Sequence, residues 1–293
     1  MSSSKSRVFV TGANGQLAKA YSNTIFPSDN LSYLRQNYNV HMLGKDLFDV
    51  TNIDQLKSYI RNYGEPEVII NCAAMTNVDS AERNFSIANE INAFSIKKIL
   101  SHFKGLFIQI STDYVFDGKV GGYLSTDELN PINKYGISKA LGEKIVQDCS
   151  KDWVIIRAGG LFSKSSSSNF HSWIVNSLEK NQIINVVDDQ ICNPVSTFDL
   201  ATYIIDIQND YSMRNKIYHI GSNENISKYD FAIKIAKVWG LNYQNINPVS
   251  TLELQKINSG YVAERPKNSS LNVSLEGDRS CNLEKSIDFL KNH

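Results

Sequence analysis

The chain has 293 residues, 42% of them hydrophobic and 20% charged, enough for one large or two modest domains, which excludes a peptide-like or intrinsically disordered chain. Thirty Lys plus Arg balance thirty Asp plus Glu, so no global field draws in nucleic acid or an anionic membrane, and an anionic ligand must be held locally. The longest apolar runs, such as Val68–Ile70 and Val154–Ile156, fall far short of the roughly 18 residues of a membrane-spanning helix.

The first residues, Met-Ser-Ser-Ser-Lys-Ser, carry no apolar signal core and lead into a strand at Val8–Val10, so a cytoplasmic protein is expected. The strand runs into Gly12-Ala13-Asn14-Gly15-Gln16-Leu17-Ala18, a G-x-x-G-x-x-A turn that opens a helix. Small residues there let backbone N–H groups approach a pyrophosphate, and the helix start adds partial positive charge. Strand before and helix after favour dinucleotide binding over an ordinary tight turn, which makes Gly12, Asn14, Gly15, Gln16 and Leu17 candidate cofactor residues. The second strand, Val40–Leu43, ends at Gly44-Lys45, where an NAD site usually offers a carboxylate. A cation suits the 2′-phosphate of NADP, so NADPH is expected and NADH is the other option; Lys45, next to Asp46, also reads as a solvated surface lysine. Asp49, Val50, and Ala73 and Ala74 after the strand Val68–Asn71 lie where loops leave the carboxyl ends of strands, the ligand-binding edge of such sheets. Close packing is the plainer reading of the alanines.

Strands at Leu106–Ile110 and Val154–Ile156 continue the series, and helical spacing at Ile53–Asn62, Ile87–Phe103 and Lys139–Asp148 fills the intervals. Such alternation selects a doubly wound α/β domain with a parallel sheet. The serine-rich stretch 163–168 reads as a surface loop beyond the fifth strand. Cys72, Cys149, Cys192 and Cys281 lie far apart without a Cys-x-x-Cys pair, so buried or idle thiols are expected, with neither a metal site nor a disulfide framework.

Tyr135-Gly-Ile-Ser-Lys139 is the most informative spacing. On a helix started by Asn133, an i,i+4 pair puts phenol and ammonium on one face, and a nearby cation is expected to lower the tyrosine pKa toward working pH. Ser111-Thr112-Asp113 follows the fourth strand, so the Thr112 hydroxyl sits at a strand end where it can donate to a substrate carbonyl. A glycine turn, a strand-end hydroxyl and Tyr-x-x-x-Lys, in that order, mark the extended short-chain dehydrogenase/reductases. The chain closely resembles the dTDP-4-dehydrorhamnose reductases through TGANGQLA at 11–18, NCAAMTNVDSAE at 71–82, STDYVFDG at 111–118 and PINKYGISKALGE at 131–143. The likeness continues in NF at 169–170, VVDDQ at 186–190, DLA at 199–201, YHIG at 218–221 and RPKNSSL at 265–271.

The resemblance implies a Rossmann-like cofactor domain over 1–158, joined by later strands near 185–222, and a smaller C-terminal substrate region over 159–293. It implies hydride transfer from NADPH to the C4 ketone of a nucleotide-linked 6-deoxy-4-ketohexose, dTDP-4-dehydro-L-rhamnose being the expected substrate. Tyr135 would then donate the proton, Lys139 tune the phenol and hold the nicotinamide ribose, and Thr112 polarise the ketone. Asp113, Tyr114 and Asn169 match sugar-pocket residues, Ala73, Ala74 and Thr76 a cofactor loop, and Arg265, Asn268 and Ser269 a nucleotide-diphosphate region; a guanidinium suits phosphate bidentately.

The chain departs from the family's pattern. Arg157-Ala158-Gly159-Gly160 stands where Arg-Thr-Ser-Trp is usual, Cys192 replaces a glycine, Val195 a threonine and Ser270 an arginine, so a roomier sugar pocket is expected at Gly160. Related proteins also include a regulatory NADP-binding subunit of methionine adenosyltransferase, which stays open as an alternative, as does another keto sugar. Dehydration is disfavoured, because Thr112-Asp113-Tyr114 lacks the Thr-Asp-Glu acid of the 4,6-dehydratases. The sequence leaves a homodimer open.

Overall fold

The computed structural model describes residues 5–22, 38–164, 169–260, 262–275 and 277–292. In chain order the strands are β1 Ser6–Thr11, β2 Tyr38–Leu43, β3 Val68–Asn71, β4 Leu106–Thr112, β5 Trp153–Phe162, β6 Ile184–Val187, β7 Ile191–Cys192, β8 Pro194–Ser196, β9 Lys216–Ser222, β10 Ile226–Ser227, β11 Ile246–Val249 and β12 Arg279–Cys281. The helices are α1 Gln16–Ser22, α2 Ile53–Tyr63, α3 Val78–Arg83, α4 Phe85–Asn89, α5 Ser95–Leu100, α6 Lys134–Cys149, α7 Phe170–Glu179, α8 Thr197–Asn209, α9 Lys228–Trp239, α10 Thr251–Ile257 and α11 Leu283–Asn292.

The central sheet is parallel throughout, in the order β12-β9-β5-β4-β3-β1-β2, with β8 added to the far end of β5. Its strands alternate strictly between two covered faces, as a period of two requires. Val8, Val10, Val68, Ile70, Ile108 and Val154 pack against α1 and α8 through Leu17, Tyr21, Leu200 and Ile204. Phe9, Ile69, Phe107 and Ile155 point the other way, onto Leu56 of α2, Ile96 and Ile99 of α5 and Val146 of α6. The fold is therefore the Rossmann-like α/β architecture expected of the extended branch.

A third apolar cluster lies beyond the sheet, where Ile174, Leu178, Phe231, Ile235, Leu283 and Ile287 of α7, α9 and α11 close over Phe162 at the end of β5. Two short pairs, β6 with β11 and β7 with β10, belong to this region. The β9 segment returns to the main sheet beside β5, and β12 follows beside β9.

Several elements differ from the expected limits. The expected helix 87–103 starts at Phe85 and is interrupted by a π turn, Glu90–Phe94, between α4 and α5. The strand expected at 154–156 runs on to Phe162, passing Gly160 at φ +46°, a left-handed value that favours glycine, and its register with β8 shifts there. Of the serine-rich stretch, 165–168 lie outside the described residues; Ser163 is buried rather than on a surface loop, giving its hydroxyl proton to Gln16 Oε1 at 3.0 Å. All four cysteines are free, and among the described residues no helix is long and apolar enough to cross a membrane.

Candidate active site

The carboxyl ends of β1, β3, β4 and β5 open into a cleft of about 670 Å³. At one end lies the glycine turn. Gly12 has φ +66°, and a Cβ there would stand 2.8 Å from the Ala73 backbone, so the turn is pressed against the loop that leaves β3. Gly15 N–H closes the turn onto Gly12 C=O at 2.8 Å, and Ala18 is fully buried where a third glycine is common. Asn14, Gly15, Gln16, Leu17, Ala73, Ala74 and Thr76 all line this end. Lys45 stands at the mouth with its side chain 83% exposed, 3.6 Å from Asp49, and the two share a smaller cavity of about 320 Å³ with Thr51 and Ile91. Val50, expected at the cofactor, is instead a core residue packed among Phe48, Leu43 and Leu56, where its apolar side chain leaves the water.

Thr112, Tyr135 and Lys139 meet on the cleft floor. Asn133 caps α6 by accepting from Gly136 N–H at 2.8 Å, which sets Tyr135 in the first turn and Lys139 one turn later. Gly136 must be glycine, since a Cβ would lie 2.1 Å from the Tyr114 carbonyl oxygen. The expected lowering of the Tyr135 pKa is not found. Burial pushes the phenol up to about 12, Asp113 adds to that push, and a hydrogen bond with Thr112 only partly offsets it. Lys139 turns its ammonium to the Ile110 carbonyl, 2.6 Å away, rather than to the phenol. Burial brings Lys139 down to about 8 against the opposing pull of Glu143.

The other end of the cleft is polar where an aromatic wall was expected to be missing. Gly160 lines it, and a Cβ there would be 3.1 Å from Cys192 Sγ, so the thiol takes part of the room left by the absent tryptophan. Asp113 is buried and accepts from Ser269 Oγ at 2.5 Å and Thr112 Oγ1 at 3.0 Å. Burial raises its carboxyl to about 6, held down by those two hydroxyls and by Lys228. Tyr114 meets the Tyr135 ring edge-on at 6.1 Å, and Asn169 lines the cleft while capping α7 through Ser172 N–H.

Two expected substrate residues are placed elsewhere. The Arg265 guanidinium is bound in a two-pronged pair by Asp79, at 2.7 Å and 2.5 Å, and does not line the cleft. Against the upward push of burial, this pairing and the N–H groups of Ala263 and Val262 hold the Asp79 carboxyl down to about 2. Asn268 lies against Gly121, whose φ of +70° and close approach admit no Cβ, and accepts from the Ser270 hydroxyl at 2.8 Å. Both residues anchor the 265–271 segment, leaving Pro266 and Ser269 as its contacts with the cleft.

Four groups of the site were not singled out from the sequence. Lys228, first residue of α9, brings a cation to the polar end and donates to Gln190 Oε1 at 2.7 Å. Asn92, in the π turn, bonds Met75 in both directions and donates to Ser138 Oγ, which donates to Tyr135 C=O. Gly142 lets this turn approach, since a Cβ would be 2.4 Å from Asn92 O. The third is a buried ion pair, Glu143 with Arg157 at 2.8 Å, joined by the Ser111 hydroxyl. The fourth is a relay beneath the floor: Thr11 Oγ1 donates to Asn71 Oδ1 at 2.6 Å, Asn71 to Gln109 Oε1 at 2.8 Å, and Gln109 to the Ile110 carbonyl that also receives Lys139. Only Asn92 had a signal that could have exposed it, a polar residue on the apolar stripe of an otherwise regular helix.

Comparison with known proteins agrees with this geometry. A family profile described as "RmlD substrate binding domain" matches residues 6–279. A dTDP-4-dehydrorhamnose reductase of Aggregatibacter actinomycetemcomitans is 32% identical over 281 residues, 92% of this chain and 91% of that protein. The spore coat polysaccharide biosynthesis protein SpsK of Bacillus subtilis is 33% identical over 243 residues, 80% of each. Among solved structures, a dTDP-4-dehydrorhamnose reductase from Bacillus anthracis in complex with NADP superposes with a TM-score of 0.87 at 32% identity, covering 98% of this chain and 99% of that one. A cleft with a glycine turn at one end and Thr112, Tyr135 and Lys139 on its floor, in a chain matched along nearly its whole length, places the protein in the dTDP-4-dehydrorhamnose reductase family of extended short-chain dehydrogenase/reductases.

Proposed function

We propose that the protein reduces the C4 ketone of dTDP-4-dehydro-L-rhamnose to dTDP-L-rhamnose with NADPH, in the cytoplasm. The observation that carries the reading is the convergence of Thr112, Tyr135 and Lys139 at the middle of one cleft that opens on the glycine turn. The cofactor fits the near end: the turn is held flat against Ala73 with no side chain on Gly12 or Gly15 to obstruct it, and Lys45, loosely paired with Asp49, stands exposed at the rim for a 2′-phosphate. Gly12, Asn14, Gly15, Gln16 and Leu17 would hold the pyrophosphate, Asp49 the adenosine side, and Ala73, Ala74, Thr76 and Lys139 the nicotinamide half. When bound, NADPH supplies the hydride.

The chain's own residues manage the proton. A phenol pushed to about 12 is fully protonated at neutral pH, the state a proton donor needs. The ketone oxygen takes its place between Tyr135 and Thr112, so that the Thr112 hydroxyl turns from Asp113 to the carbonyl. Tyr135 then gives its proton to the developing alkoxide. The phenolate left behind is stabilised by Lys139, whose ammonium has donors to spare beyond the one on Ile110. In this reading the region through 158 serves the cofactor, while the third cluster and the segments around Gln190 and Ser269 serve the sugar nucleotide, with Asp113, Tyr114 and Asn169 nearest the sugar.

The test is oxidation of NADPH by the purified protein with dTDP-4-dehydro-L-rhamnose and a panel of other nucleotide-linked 4-keto sugars. Turnover of the rhamnose precursor is expected; turnover of a different sugar alone would move the substrate assignment, and none at all would remove the reductase reading.

A further inference from the structure

The sugar nucleotide carries a diphosphate, and a buried or half-buried dianion needs a cation with a free donor. Three cations line the cleft among the described residues: Lys45, Lys139 and Lys228. Lys45 stands at the mouth beside the second strand, and Lys139 lies on the floor one helical turn from Tyr135, where the proposed proton transfer uses its charge. Arg265, the guanidinium expected to serve, has its fork filled by Asp79.

Lys228 is the cation at the polar end. It follows directly on β10, whose Ile226 and Ser227 pair with Cys192 and Ile191 of β7, so its place is fixed by the strand pair that walls the cleft beside Gly160. The backbone adds a second tie, Lys228 N–H to Gln190 C=O at 3.0 Å. An ammonium has three donors, and Gln190 Oε1 accepts one of them at 2.7 Å. The neighbouring carboxylates act on it through their charge but take their hydrogen bonds elsewhere, Asp113 from the Ser269 and Thr112 hydroxyls and Asp189 from the N–H and hydroxyl of Thr251. The position also opposes the dipole of α9, since a cation at the first residue of a helix faces its positive end. Stability of the helix does not call for a lysine there, whereas an anion in the cleft does.

We propose that Lys228 is the residue that holds the diphosphate of the nucleotide sugar, at the end of the cleft opposite the glycine turn. The proposal rests on the reductase reading for the identity of the anion and specifies which side chain recognises it. It also gives one departure from the family's pattern a counterpart: where Gly160 removes an aromatic wall, the neighbouring strand pair delivers an ammonium.

The test measures binding of dTDP and of uncharged thymidine to the full chain saturated with NADP, by calorimetry, for wild type, Lys228→Met and Lys228→Arg, with NADP affinity as the check on folding. Losing one partner of a partly buried charge pair is expected to weaken dTDP by roughly 30-fold or more in Lys228→Met. Thymidine affinity is expected to be unchanged, and Lys228→Arg should recover dTDP to within about threefold of wild type. Equal dTDP affinity in wild type and Lys228→Met overturns the proposal, as does a parallel loss of thymidine, which would make the residue a packing element. Absence of dTDP binding by wild type overturns it too. Wild type that binds dTDP through Lys228 yet turns over no 4-keto sugar leaves the proposal standing and removes the reductase reading alone.

Discussion

The two ends of the cleft are built on different plans. The glycine-turn end is made by consecutive backbone: one strand, one turn and one helix, with the next strand's loop pressed against Gly12. The polar end is assembled from side chains of segments far apart in sequence, Asp113 just after β4, Gln190 and Cys192 around β7, Lys228 from α9 and Ser269 from the 265–271 segment. Backbone recognition suits a cofactor that never changes; side-chain recognition leaves the substrate end free to vary with few substitutions.

If this division is right, the largest effect belongs to the floor shared by both ends. Tyr135→Phe keeps the ring against Tyr114 and removes the proton, so turnover should fall by about 10²- to 10⁴-fold while NADPH affinity and folding persist. Single-turnover kinetics with equal rates in both proteins would place the donor elsewhere.

The next effect is on pH. Lys139, lowered to about 8, is an ammonium below that value and loses its charge as pH rises through it, so the rate should decline above about pH 8. Asp113, raised to about 6, is a carboxylate above that value and protonates as pH falls through it, weakening its hold on the Ser269 hydroxyl at the polar end; the rate should decline below about pH 6. A full profile of kcat/KM reads both limbs, and Asp113→Asn should erase the acid one. An unchanged acid limb in that variant would show that the polar end does not govern the floor.

Smaller again is the contrast in cofactor choice. Lys45→Asp should weaken NADPH by about tenfold and leave NADH nearly untouched, as expected for one charge-assisted contact at an exposed rim. Equal losses would make Lys45 part of the general wall.

The smallest effect separates an anchor from a ligand. Because Arg265 and Asp79 hold each other, Arg265→Gln and Asp79→Asn should each raise the substrate KM only a few-fold, and the double variant should match either single one. A large loss for Arg265→Gln with none for Asp79→Asn would return the arginine to the substrate.

These contrasts follow what the sequence made legible. The strands, the glycine turn and the Tyr135–Lys139 spacing are local patterns, and each is found where the sequence placed it. Arg265 and Asn268 were misplaced because what decides their role is the partner: Asp79 lies 186 residues away, and Gly121 is bent against Asn268 by a turn that no spacing reveals. The Tyr135 pKa departs from the expectation because burial raises the phenol, and helix geometry brings Lys139 to the correct face while a carbonyl 29 residues earlier claims its ammonium. Val50 shows the converse: a strand-end position marks the ligand edge, yet an apolar side chain there follows the core.

Thr11, Asn71 and Gln109 stand at matching positions of β1, β3 and β4, so their hydrogen bonds run straight across three neighbouring strands. Strands rich in Val and Ile, covered on both sides, offer little of their own to tell a folding chain which alignment is correct. Sliding one of them by a single residue would turn its side chains to the opposite face and strand these buried polar groups without partners, at a cost of about 1–3 kcal/mol for each. The relay beneath the floor therefore acts before any ligand arrives, as an alignment key that admits one pairing of the sheet and, through Ile110, delivers Lys139 to its place only when that pairing is made.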